Sequence, residues 1–154
     1  MINIGQPFNH TQTAFGMAQD SKILVVEDNV TTRVYIKRIL KNLGYQNVLA
    51  VDDGKTAALE MKVNDFDLII SDWDMPNLNG LEFLKLLRKN PKRRNTPFLM
   101  VTAEKEVAKM RKALHQGADN YIVKPFQPAY LKKKIQELLG EEPEPAPESG
   151  PGEG

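Results

Sequence analysis

The sequence predicts an α/β fold, a doubly wound five-stranded parallel sheet covered by helices on both faces. Five short runs of β-branched and apolar residues recur along the middle of the chain, each followed by a stretch of helical periodicity. The runs are apolar on both faces, as strands are in a parallel sheet that never meets water. The 154 residues, 41% hydrophobic and 27% charged, have the size and composition of about one globular domain.

Residues 1–20 show no sustained period and contain Gly5, Pro7 and Gly16, so they read as a flexible arm in which His10 is a solvated side chain. Ile23-Leu24-Val25-Val26 is the first strand. Asn29 stands where a helix cap belongs, Ile36, Ile39, Leu40 and Leu43 then share one helical face, and Gly44 supplies the stop. The second strand, Val48-Leu49-Ala50-Val51, precedes a helical stretch at 54–62. Leu68-Ile69-Ile70 is the third, followed by a helix over 80–89 with Asn79 as its candidate cap. Phe98-Leu99-Met100-Val101 leads to a helix over 105–116, and Tyr121-Ile122-Val123 to a last helix whose core face is Leu131, Ile135, Leu138 and Leu139. Strand-helix-strand units of this kind cross over right-handedly. Residues 21–140 therefore form the domain. Residues 141–154, EEPEPAPESGPGEG, are too poor in apolar side chains to offset the entropy of ordering and read as a disordered acidic tail, with no length left for a folded output domain.

The formal net charge of +1 hides a division. Residues 1–140 carry all 21 Lys and Arg and 15 of the 20 acids, whereas the tail carries five Glu and no base. The absence of cysteine excludes a disulfide scaffold and a thiolate nucleophile. The first residues have no basic start and no apolar core of a signal peptide, and no stretch approaches the ~18 apolar residues of a membrane span, so a cytoplasmic protein is expected.

In a doubly wound sheet, ligands gather in the crevice outside the carboxyl ends of the strands. Those ends carry Glu27-Asp28 after strand one, Asp72 and Asp74 around Trp73 after strand three, Thr102 after strand four and Lys124-Pro125 after strand five. Carboxylates brought together repel, and a hard divalent cation with oxygen ligands relieves them. Mg2+ (or Mn2+) fits such a set, and the lack of a Cys/His cluster argues against zinc. With Lys124 as a second cation and Thr102 as a hydroxyl donor, the rim has what a transferring phosphoryl group needs, and Asp72 is the candidate nucleophile, since a carboxylate can form an acyl phosphate. Acids that merely cap helices would explain Asp28 or Asn79 singly, but not the whole set at four strand ends.

The segments VVEDN (25–29), ISDWDMPNLNGLEFLKLLR (70–88), LMVTAE (99–104) and YIVKPF (121–126) closely resemble the receiver domain of bacterial two-component response regulators, with the CheY-like chemotaxis receivers the nearest likeness, over residues 21–140. The resemblance implies the flavodoxin-like (βα)5 fold with strand order 2-1-3-4-5. It implies that Asp72 is the phosphoacceptor, that Glu27, Asp28, Asp72 and the backbone carbonyl of Asp74 hold Mg2+, and that Thr102 and Lys124 stabilise the phosphoryl group. Thr102 and Tyr121 match the switch pair, and Pro125 the cis-proline. Glu27 and Asp74 depart from the CheY-like Asp and Asn, so Asp74 and Glu104 are expected to tune phosphate lifetime. The implied partners are a sensor histidine kinase (CheA-like) and a flagellar motor switch protein or other target. Lys105, Lys109, Lys112, Tyr121 and Lys132 form the candidate partner face, on and beside the last two helices, and the tail is expected to screen it.

Three other readings are weaker. Asp72-Trp73-Asp74 fits the DxD pattern of haloacid-dehalogenase-like phosphatases, but those place it after the first strand with a long chain beyond, and here only residues 75–154 follow. A flavin carrier needs amides that cradle phosphate in its first loop, where this chain has Glu27-Asp28. The basic stretch Arg88-Lys89-Asn90-Pro91-Lys92-Arg93-Arg94 lacks an aromatic platform and reads as solvated surface, not a nucleic-acid site. Within the receiver reading, a phosphorelay intermediate or phosphate sink is the alternative to a chemotaxis switch.

Overall fold

A computed structural model describes residues 20–141. The predicted arm and tail therefore lie outside the described residues, apart from Asp20 and Glu141. Five strands, β1 (Lys22–Val26), β2 (Asn47–Val51), β3 (Leu68–Ser71), β4 (Phe98–Thr102) and β5 (Asn120–Val123), alternate with five helices, α1 (Val30–Asn42), α2 (Gly54–Val63), α3 (Gly80–Lys89), α4 (Val107–His115) and α5 (Pro128–Leu138). All pairings are parallel and the strand order is β2-β1-β3-β4-β5.

Alternate residues along each strand face opposite layers. Leu24, Val26, Ile69, Phe98 and Met100 pack with Ala57, Met61, Leu84, Leu87 and Ala113, so α2, α3 and α4 cover one face. Ile23, Val25, Ile70, Leu99 and Val101 pack with Ile36, Leu40, Leu131 and Ile135, so α1 and α5 cover the other. Burying each of these Val, Leu, Ile, Phe and Met side chains stabilises the fold by ~1.5–3 kcal/mol. Helix starts follow the local chemistry: Asn29 and Asp53 accept the amides of Thr32 and Thr56, and Asn79 forms a reciprocal capping box with Glu82.

Two expectations need correction. β2 is not buried on both faces; it is the edge of the sheet, and Leu49 is 38% exposed. Its apolar run is the same whether or not a sixth strand covers it. Lys105 is not helical, because α4 begins only at Val107. The Glu104 amide donates to the Thr102 hydroxyl oxygen and the Glu104 carbonyl accepts from the Tyr121 hydroxyl, which holds this segment as a turn.

Candidate functional site

Hydrogen bonds that continue the sheet past the strand ends set the site. The Glu27 amide donates to the Val51 carbonyl (3.0 Å), that of Asp72 to Val26 (3.0 Å) and that of Lys124 to Thr102 (2.8 Å). Glu27 and Asp72 therefore leave the neighbouring strands β1 and β3 at one level, and Lys124 leaves β5, one strand further across β4. Their side chains meet in an open cleft of about 710 Å3, lined also by Asp28, Asn29, Thr31, Asp74 and Ala103.

The Lys124 ammonium donates to Glu27 Oε1 and, at 3.1 Å, to Asp72 Oδ2. Asp72 Oδ1 accepts the amide of Trp73 at 2.6 Å. Glu27 is 1% exposed and Asp72 8%, whereas Asp28 is open to solvent. One oxygen from each of Glu27, Asp28 and Asp72 falls within 4.8 Å of the others. Burial outweighs the Lys124 hydrogen bond at Glu27, and the nearby Asp72 charge adds to it, so the Glu27 carboxyl is pushed up to about 7. Burial works against the Lys124 charge, but its bonds to Glu27 and Asp72 overcome it and raise the lysine above its ordinary value.

The family model of the response regulator receiver domain matches residues 23–136. The chain belongs to the response regulator receiver family. The receiver is 39% identical over 121 residues to chemotaxis protein CheY-3 of Vibrio cholerae, covering 79% of this chain and 93% of that protein. It is 44% identical over 120 residues to a chemotaxis CheY homolog of Campylobacter jejuni, covering 77% and 92%. Among solved structures, CheY4 of Vibrio cholerae superposes with a TM-score of 0.72 at 36% identity, covering 77% of this chain and 98% of that one. The receiver domain of the sensor histidine kinase PA1611 from Pseudomonas aeruginosa, solved with a magnesium ion coordinated in its active-site cleft, gives 0.72 at 31%, covering 78% and 98%. The flavodoxin-like fold and the CheY-like resemblance expected from the sequence thus both hold for this receiver, a signalling protein of the response regulator class. Among its described residues, no helix is long and apolar enough to cross a membrane.

The structure brings Glu27, Asp28, Asp72, Asp74 and Lys124 of the receiver to one cleft, but not Thr102 or Glu104. Thr102 is fully buried below Ala103, its hydroxyl oxygen accepting the Glu104 amide at 3.2 Å. Tyr121 is 7% exposed and donates to the Glu104 carbonyl at 2.7 Å. Burial, with the charges of Glu104, Asp72 and Asp74, pushes its hydroxyl up to about 12. The Lys124–Pro125 bond is cis. The Glu104 carboxylate turns to Lys109 (2.8 Å), which also lies 6.0 Å from the Trp73 ring centre. Of the partner-face lysines, Lys105 and Lys112 are exposed and Lys132 is half-buried.

Two contributors escaped the sequence reading. Arg33 donates to the Glu27 carbonyl at 2.9 Å and to that of Asp28 at 3.4 Å, pinning the acidic loop from α1. Gly80 passes so close to Asp72 that a Cβ would stand 2.0 Å from the Asp72 carbonyl oxygen. The Arg33 contact depends on a fold-made approach that periodicity does not encode, whereas Gly80 at the start of a capped helix was a visible signal.

Proposed function

We propose that this receiver accepts a phosphoryl group on Asp72 from a phosphohistidine of a sensor histidine kinase (CheA-like) and signals by phosphorylation-dependent protein binding in chemotaxis. The observation that carries the reading is the Asp72 carboxylate, held between two other carboxylates and the Lys124 ammonium at the floor of an open cleft. The donor set fits Mg2+ (or Mn2+): three convergent carboxylate oxygens, with no imidazole beside them among the described residues and no cysteine in the sequence. Glu27, Asp28, Asp72 and the Asp74 carbonyl would hold the ion, which when bound neutralises charge on the phosphoryl oxygens.

In the transfer, an Asp72 carboxylate oxygen forms the new bond to phosphorus as the phosphorus–nitrogen bond of the donor breaks and the imidazole departs with the electron pair. Lys124, at 3.1 Å from Asp72, is placed to neutralise charge that develops on the phosphoryl oxygens. Hydrolysis of the acyl phosphate by water returns the carboxylate. Asp74, at the cleft, tunes that lifetime more directly than Glu104, whose charge Lys109 engages.

Thr102 and Tyr121 carry the signal outward. Their link through Glu104 means that a threonine drawn to the phosphoryl group alters both partners of the same turn. The edge at β5, flanked by α4 and α5, presents Lys105, Lys109, Lys112 and Lys132 to a flagellar motor switch protein or other acidic target.

Likeness to receivers of sensor histidine kinases supports a second reading, a phosphorelay intermediate or phosphate sink. Incubation with a phosphorylated histidine kinase domain tests the proposal: label moves to the receiver and not to Asp72→Asn. Binding of a flagellar switch peptide only by the phosphorylated protein favours the chemotaxis role; rapid onward transfer to a second histidine protein favours the relay.

A further inference from the structure

The loop between β3 and α3 carries Asp74, and its tip is tied to a different loop. Leu78 donates its amide to the Pro76 carbonyl at 2.8 Å across Asn77, whose φ is 69°. Such a tight γ-turn with positive φ is rare and strained, and persists only where the surroundings over-determine it. Here they come from the start of α2. Asp53 uses one carboxylate oxygen to cap α2, accepting the Thr56 amide at 2.7 Å, and the other to accept the Asn77 side-chain amide at 3.1 Å. Next to it, Gly54 lies against the turn so closely that a Cβ would stand 2.1 Å from the Leu78 carbonyl oxygen. The neck of the loop closes where Gly80 donates to the Trp73 carbonyl at 2.7 Å. The loop is thus fixed at its neck and its tip, and Asp74 lies between these two anchors.

We propose that Asp53 is a positioning residue for Mg2+: by clasping Asn77 it holds the β3–α3 loop in the shape that offers the Asp74 carbonyl to the ion. The inference rests on the metal site described above and deepens it. Asp53 lines no part of the cleft and acts only through Asn77. Without the clasp the strained turn relaxes, and the peptide after Asp74 loses its set direction while Glu27, Asp28 and Asp72 stay in place.

The two oxygens of Asp53 have separate tasks, which permits a clean test by calorimetric titration of the full chain with Mg2+. Asp53→Asn keeps an oxygen for the Thr56 amide but turns an NH2 toward the NH2 of Asn77. Asn77→Gly keeps the positive φ and the Asp53 charge but removes the clasp. Each is expected to weaken Mg2+ binding by about tenfold, the low end of what loss of an outer-shell partner costs. Adding Asn77→Asp to Asp53→Asn reverses the polarity of the clasp, preserves net charge and is expected to restore affinity. Unchanged affinity in Asn77→Gly, or failure of the double variant to recover, overturns the proposal. So does a fall in metal-free thermal stability with affinity intact, the result of a purely structural bond. If the unaltered protein shows no saturable Mg2+ binding, the metal site itself is wrong, an outcome separate from loss of the clasp alone.

Discussion

Lys124 serves two carboxylates with one ammonium, and the buried Glu27 beside it governs how the site answers pH. The Glu27 carboxyl is raised by burial from its ordinary 4.5 to about 7 in the folded protein, so between those values the native state holds a proton that the unfolded chain has lost. Metal-free stability is therefore expected to fall as pH rises through this window, by up to a few kcal/mol, in urea unfolding. Mg2+ competes with the same proton, so its affinity should strengthen as pH rises toward and past 7. Lys124→Met leaves two facing carboxylates without their cation, and is expected to cost about 3 kcal/mol near pH 8 and less near pH 5.5, where Glu27 takes up a proton. The carboxylates and the lysine were legible in the sequence because strand ends in a parallel sheet converge on one rim whatever the details of packing. The withdrawal of Thr102 from the cleft was not, since it depends on which of two adjacent residues, Thr102 or Ala103, turns outward at the end of β4.

The loops that join the elements are held by close approach as much as by hydrogen bonds. Gly80→Ala would drive a methyl group into the Asp72 carbonyl, forcing apart the β3 end and the α3 start. A destabilisation of about 3 kcal/mol in urea unfolding is expected, together with impaired phosphorylation. At the far end of α3, Arg88 donates to the carbonyls of Gly117, Arg94 and Thr96 and pairs with Asp119 at 3.1 Å, joining α3 to the loops that enter β4 and β5. Arg93 likewise reaches the Met61 carbonyl and Asp65. The basic stretch read as solvated surface is therefore partly a structural clamp. A planar five-donor fork is what several carbonyls require, so Arg88→Lys should cost about 2 kcal/mol by the same measurement although the charge is kept. Strand and helix existence followed from periodicity, which reports burial. Edge exposure in β2 was not visible in its own apolar run, although the strand order implied by the receiver resemblance already puts β2 at an edge, and the late start of α4 follows from the Glu104 turn, held by a contact with Tyr121 distant in sequence.

At the scale of the whole molecule, a net charge of +1 resolves into regions of opposite sign: an acidic cleft at the strand ends, basic side chains around the β5 edge and an acid-rich terminal segment. Thr102, at the end of β4, and Tyr121, on β5, sit on neighbouring strands of the sheet whose ends form the cleft. All of this depends on Asp72 becoming phosphorylated with the help of a divalent cation. The most direct test is incubation of the full chain with acetyl phosphate and Mg2+, followed by intact mass measurement. The account predicts one added phosphoryl group, absent from Asp72→Asn and absent when the metal is chelated. No gain by the native protein, or an equal gain by Asp72→Asn, would contradict it.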